Sequence, residues 1–222
     1  MKLILKIVGG LILSAACFAV AVFLTFSQAT VPTKGPRIDG YAEPQKAVLV
    51  IDVQEDFIGK SAHPSRQYKN SDNIIEAMNR VIEEARVRNY RVVYIRQEYE
   101  GIWAQFLSKT LFGGRGLPGR PGTQIDKRVM MVSEDIFTKR IGDAFSNPAL
   151  SDFLIANQVD ELLLVGLDVQ YCVHATAQGA LNRGYKVSVA TDAVAILNEK
   201  KWDPMMEKYE REGIVLTNSK SF

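Results

Sequence analysis

From residue 47 onward the chain exchanges short, uninterrupted apolar runs with longer segments whose apolar residues recur every three or four positions. "AVLVID" (47–52) is apolar on successive residues, the pattern of a strand covered on both faces. "SDNIIEAMNRVIEEARVRNY" (71–90) sets Ile75, Met78, Ile82 and Ala85 on one side and reads as a helix, with Ser71 or Asp72 as its cap. Further strands are expected at 91–96, 134–139, 161–166, 186–191 and 213–218. Further helices are expected at 146–158, where Pro148 falls near the first helical position, at 172–183, closed by Gly184, and at 198–212, with Pro204 as a candidate break. Residues 99–123, centred on "GGRGLPGRPGT", read as an irregular loop.

Strands that alternate with helices imply a mostly parallel sheet of roughly six strands, buried under helices on both faces. The chain has 222 residues, 47% of them hydrophobic, enough for one sizeable domain but not for two large ones. Its formal net charge of +2 is too small for the dense basic stripe of a nucleic-acid binder, so no nucleic-acid partner is expected.

The N-terminus is a separate object. Ile7 to Phe26 carry no charge, and a helix of that length spans about 30 Å, the thickness of a bilayer's hydrocarbon core. Lys2 and Lys6 form a positive flank. Residues 1–29 therefore read as a signal anchor, making a membrane partner through residues 7–26 with the domain on the extracytoplasmic side. The alternatives are a signal peptide cleaved after "SQA" and a lipoprotein signal ending at Cys17. Residues 30–46, rich in Pro and Gly, read as a linker, and 47–222 as the domain.

In a parallel sheet the site lies beyond the carboxyl ends of the strands. That rule singles out Asp52, Arg96 to Tyr99, Lys139 and the 166–172 turn. Cys172 opens a helix, where free N–H groups and the dipole favour a thiolate. A carboxylate, an ammonium and a thiol at three strand ends can converge on one pocket. The carboxylate can take the thiol proton, and the ammonium can hold the carboxylate in place. Each residue alone has a plainer reading: a turn aspartate, a solvated lysine, a small core cysteine. His174 follows Cys172 by two helical positions and points about 200° away, so it is not the base. His63 reads as an exposed turn residue.

"AVLVIDVQEDF", "IFTKRIGDAFSNPAL" and "LLLVGLDVQYCVHATAQGALNRGYKVSVATDAV" together resemble the isochorismatase-like cysteine hydrolases, a family that includes the nicotinamidases. The resemblance runs from about 47 to 195 and implies a three-layer α/β/α sandwich with a Rossmann-like sheet. It also implies an Asp–Lys–Cys triad, falling on Asp52, Lys139 and Cys172, and a non-proline cis peptide at Leu167–Asp168. That turn would aim the backbone N–H groups of Asp168 and Cys172 at a developing oxyanion. Gln54 and Phe57, in "DVQEDF", together with Gln97, Tyr99 and Tyr171, are the candidate pocket-lining residues.

Family members that hydrolyse isochorismate-type vinyl ethers lack the cysteine, so Cys172 argues for cleavage of a C–N bond in a small amide, ureide or carbamoyl compound. Nicotinamidases carry a metal on an Asp and histidines around the second strand. Here "RQEY" ends that strand and His63 is the one histidine in the region, so no catalytic metal and no other cofactor is expected, and nicotinamide becomes a poor substrate guess. The 99–123 segment, with Trp103, Phe106, Arg115 and Arg120, is long enough to act as a lid. The resemblance also makes a homo-oligomer an option. Two other classes stay open: a non-hydrolytic redox or binding protein that uses Cys172, and a membrane-tethered interaction module.

Overall fold

A computed structural model of the chain describes residues 31–59, 62 and 67–221, together with positions 18, 20 and 22. The greater part of 7–26, with Cys17, lies outside the described residues, as do Lys2, Lys6 and His63. Among the described residues no helix is long and apolar enough to cross a membrane.

Six strands form one parallel sheet in the order β3-β2-β1-β4-β5-β6. They are β1 (Gln45–Ile51), β2 (Arg91–Gln97), β3 (Ile136–Lys139), β4 (Val159–Leu167), β5 (Lys186–Ala195) and β6 (Val215–Thr217). Among the described residues a short helical turn at Glu55–Ile58 and five longer helices accompany them: α1 (Ser71–Val87), α2 (Ile102–Leu111), α3 (Pro148–Ala156), α4 (Cys172–Asn182) and α5 (Trp202–Arg211). The continuous apolar runs are explained by two cores. Leu49, Ile51, Val93, Ile95, Leu162 and Leu164 face α3, α4 and α5. Val48, Val50, Val92, Tyr94, Leu163 and Val165 face α1, on which Ile75, Met78, Ile82 and Ala85 are all buried. Successive residues of a strand point to opposite faces, so a strand between two helical layers must be apolar at each position.

Several boundaries differ from the sequence reading. Residues 99–123 are not wholly irregular: α2 occupies Ile102–Leu111, between Gly101 and the Gly113–Gly114 pair. Pro204 does not break the last helix, because it sits in the first turn of α5, where the N–H it lacks has no helical partner. Ser71 is the first helical residue of α1 and neither it nor Asp72 is the cap; Asn70, with φ +55°, precedes it. Asn147 does cap α3, its side chain accepting from the N–H of Ala149 at 3.1 Å, with Pro148 next in line.

The expected linker is also corrected. Gln45 already belongs to β1, and residues 33–38 lie on the domain as a strap. Thr33 donates to the buried carboxylate of Asp143 from its backbone N–H (2.7 Å) and its hydroxyl (2.6 Å). Arg183 donates to the carbonyl of Thr33, and Ile38 donates its N–H to the carbonyl of Arg183 at 2.8 Å and packs on the larger core.

Candidate active site

The strand order reverses direction between β1 and β4. The chain moves outward from β1 to β2 and β3, then returns to place β4 on the other side of β1. A crevice opens at such a reversal, because the connections leave the two strands on opposite faces of the sheet. Asp52 follows β1 and the 168–172 turn follows β4, so both stand at its rim. The two strands come close there because residue 166 is glycine. A Cβ at Gly166 would lie 2.1 Å from the carbonyl oxygen of Ile51, and its φ of +119° suits glycine alone. Asp52 itself has φ +57°, a left-handed conformation that aspartate tolerates better than most residues.

Lys139 comes from β3, two strands away. Neighbouring strands stand about 4.8 Å apart, so the ammonium must cross roughly 10 Å of sheet edge. Gln97, paired in register with Lys139, lies beneath it and accepts a hydrogen bond from the Lys139 Nζ through its Oε1 at 2.6 Å. The Nζ also donates to Asp52 Oδ2 at 2.9 Å, to Cys172 Sγ at 3.2 Å and to the carbonyl of Ile141 at 3.2 Å. Lys139 and Asp52 are buried, whereas Cys172 keeps part of its surface open.

Burial sets the charges. By itself it would strip the proton from Lys139, but the Asp52 carboxylate and Cys172 beside it hold its pKa above the ordinary value. Burial raises the Asp52 carboxyl above its usual 3.8, opposed by Lys139 and by a hydrogen bond from Cys172. The Cys172 thiol is pushed up to about 12 by burial and by Asp52, with Lys139 opposing. This corrects the expectation of a stabilised thiolate. Cys172 does begin α4, but burial and the neighbouring Asp52 carboxylate raise its thiol. The resting pair is a thiol next to a carboxylate.

The Leu167–Asp168 peptide is cis, as the resemblance implies. Among the described residues the backbone N–H groups of Asp168 and Cys172 make no hydrogen bond. The Asp168 carboxylate, expected to be incidental, is a buried hub. It accepts from the N–H of Gln170 at 2.7 Å and from the N–H of Leu197 at 2.8 Å, and the Tyr68 hydroxyl lies near it.

The candidate pocket residues divide. Gln54 is completely buried, its amide bound to backbone on both sides: Nε2 donates to the carbonyls of Gln97 and Thr123, and Oε1 accepts from the N–H of Gln97. Gln97 is likewise buried and holds Lys139, so neither amide is free for a ligand. Phe57 and Tyr99 are half-buried, and both lie against Gly116. Tyr171 is exposed beside the cysteine. His174 reaches away to the Glu212 carboxylate at 2.8 Å, as its helical position predicts. Tyr68 went unnoticed in the sequence, since nothing in a polar loop marks one tyrosine as reaching the site. Among the described residues no group of three or more His, Cys, Asp or Glu side chains is placed to hold a metal ion.

The family model for the isochorismatase domain matches residues 46–221. The chain belongs to the isochorismatase family. It is 30% identical to a probable inactive nicotinamidase of Arabidopsis thaliana, over 67% of this chain and 80% of that one. It is 26% identical to a nicotinamidase of Escherichia coli, over 72% and 87%. Among solved structures, the N-carbamoylsarcosine amidase of Thermoplasma acidophilum superposes with a TM-score of 0.67 at 26% identity, covering 80% of this chain and 98% of that one.

Proposed function

We propose that this isochorismatase-like protein cleaves a C–N bond of a small amide, ureide or carbamoyl compound through a thioester on Cys172. The observation that carries the reading is the single Lys139 ammonium touching both Asp52 Oδ2 (2.9 Å) and Cys172 Sγ (3.2 Å). With the thiol protonated at rest, Asp52 is the base. It takes the Cys172 proton as sulfur attacks the carbonyl, and Lys139 offsets the negative charge that moves between the two groups. The N–H groups of Asp168 and Cys172 face the developing oxyanion. The tetrahedral intermediate expels nitrogen, which receives the proton from Asp52. Asp52 then takes a proton from water, the hydroxide attacks the thioester, and Cys172 leaves as the thiol.

The amidase and nicotinamidase names among the similar proteins support this class of bond, as does a cysteine where vinyl ether hydrolysis needs none. Membrane anchoring through residues 7–26, with the domain outside the cytoplasm, is part of the same proposal; an exported form cleaved after residue 29 is its alternative. Cell fractionation with carbonate washing separates the two. The central test screens the full chain against primary amides, ureides and N-carbamoyl compounds while following ammonia release, with a Cys172→Ala control. Acid quenching during turnover should trap an acyl group on Cys172. A panel compound cleaved equally well by Cys172→Ala defeats the proposal.

A further inference from the structure

The hydrogen-bond ladder between β1 and β2 ends with a side chain in place of a strand. Asp52 donates its backbone N–H to the carbonyl of Ile95 at 2.9 Å, as a residue of a parallel pair does. Continued by the same pattern, the Asp52 carbonyl would accept from the N–H of Gln97, and the N–H of Gln54 would donate to the carbonyl of Gln97. The chain does neither. Asp52 has φ +57° and turns off the sheet, so the N–H of Gln54 folds back on the Asp52 carbonyl at 2.8 Å.

The two backbone groups of Gln97 are met by the Gln54 amide. Gln54 Oε1 accepts from the N–H of Gln97 at 2.6 Å, and Nε2 donates to the Gln97 carbonyl at 3.1 Å. An N–H only donates and a carbonyl only accepts, so these partners fix which end of the amide is which. The other Nε2 proton goes to the carbonyl of Thr123 at 2.9 Å. The amide therefore stands where the missing groups of the strand would be. It lets Asp52 leave the sheet for the site without stranding two buried backbone groups.

This clamp reaches the lysine through one intermediary. Gln97 Nε2 donates to the carbonyls of Lys139 and Glu98 at 3.3 and 3.4 Å, which leaves its Oε1 for the Lys139 ammonium at 2.6 Å. We infer that Gln54 is a positioning residue: by replacing the lost strand contacts of Gln97 it holds Gln97, and through it the Lys139 ammonium, against Asp52 and Cys172. This rests on the proposed use of these groups in C–N hydrolysis.

The test is a double-mutant cycle on the full chain. Gln54→Met keeps the length of the side chain and removes the amide. It should lower kcat for an ammonia-releasing panel compound roughly tenfold with KM little changed, the effect of one loosened hydrogen bond to a charged group. In a Gln97→Ala background, where no amide remains to be held, the same change should lower kcat no further. An unchanged kcat, two losses that add in full, or a rise in KM at constant kcat overturns the inference. Gln54→Asn, whose amide is too short to reach both groups of Gln97, enters the same cycle where Gln54→Met does not fold. Failure of both to fold makes the residue a structural one and overturns the inference as well.

If the unaltered chain releases ammonia from no compound, the proposed function fails on its own. Gln54 is then decided by the rate at which iodoacetamide alkylates Cys172 at alkaline pH, read by peptide mass spectrometry. Burial and Asp52 raise the thiol and Lys139 opposes them, so a loosened Lys139 should slow alkylation. Gln54→Met should show that slowing, and add nothing to it in the Gln97→Ala background. An unchanged rate, or effects that add, overturns the inference.

Discussion

Lys139 Nζ lies 2.9 Å from Asp52 Oδ2, although β2 separates the strands that carry them. The pair is buried, and each partner is the main compensation for the other's charge. Removing the cation should therefore cost stability as well as activity. Lys139→Met leaves a buried, uncompensated carboxylate, a change worth about 3–5 kcal/mol. Urea denaturation should show a lower midpoint with an unchanged slope, and turnover should vanish. A variant as stable as the parent would show that Asp52 does not depend on Lys139.

Gln97 carries a smaller share of the same arrangement. Its Oε1 supports the Lys139 ammonium at 2.6 Å, and hydrogen bonds to charged groups are worth about 1.5–3 kcal/mol. Gln97→Ala should lower kcat by roughly 10- to 100-fold with little change in KM, because the amide holds a catalytic group and does not face a ligand. A rise in KM at constant kcat would return Gln97 to the pocket wall.

The pH dependence follows from the directions of the shifts. Asp52 acts as a base only when ionised, and burial raises its pKa above 3.8. The acid limb of kcat/KM should fall as pH drops through that raised value, displaced upward from an ordinary aspartate. On the alkaline side Lys139 holds its proton beyond its usual range, and the thiol ionises only near 12. No inflection is expected near pH 8.5, in the rate or in alkylation of Cys172 by iodoacetamide. An alkylation inflection below pH 9 would mean that the thiolate is already formed in the resting site.

The strap makes the choice of N-terminus matter. A chain starting at residue 31 keeps the two hydrogen bonds from Thr33 to Asp143, whereas one starting at residue 40 leaves that buried carboxylate without them. The shorter chain should be less stable by about 2–4 kcal/mol. Because Asp143 follows Lys139 by four residues, and Gly179 of α4 packs against its carboxylate, the loss should reach activity too. Equal urea midpoints for the two chains would reduce the strap to a passive linker.

Read alone, the sequence determined the alternation of strands and helices, the parallel sheet, and the residues at its carboxyl ends. Those are local properties. A strand buried on two faces must be apolar at successive positions, and a chain leaving a strand must change composition at once, which is why Asp52, Lys139 and Cys172 stood out. The tertiary structure decided what those residues meet. Gln97 became the support of Lys139 because two strand ends align in register. The thiol stayed protonated because burial and Asp52 raise its pKa, and both depend on what the fold packs around it. The helix at 102–111 was obscured by the glycines around it, and the strap by its prolines, since composition records a segment's freedom but not the carboxylate that removes it. Tyr68 is the clearest case: its place beside Asp168 depends on a distance across the fold, and no local pattern encodes it.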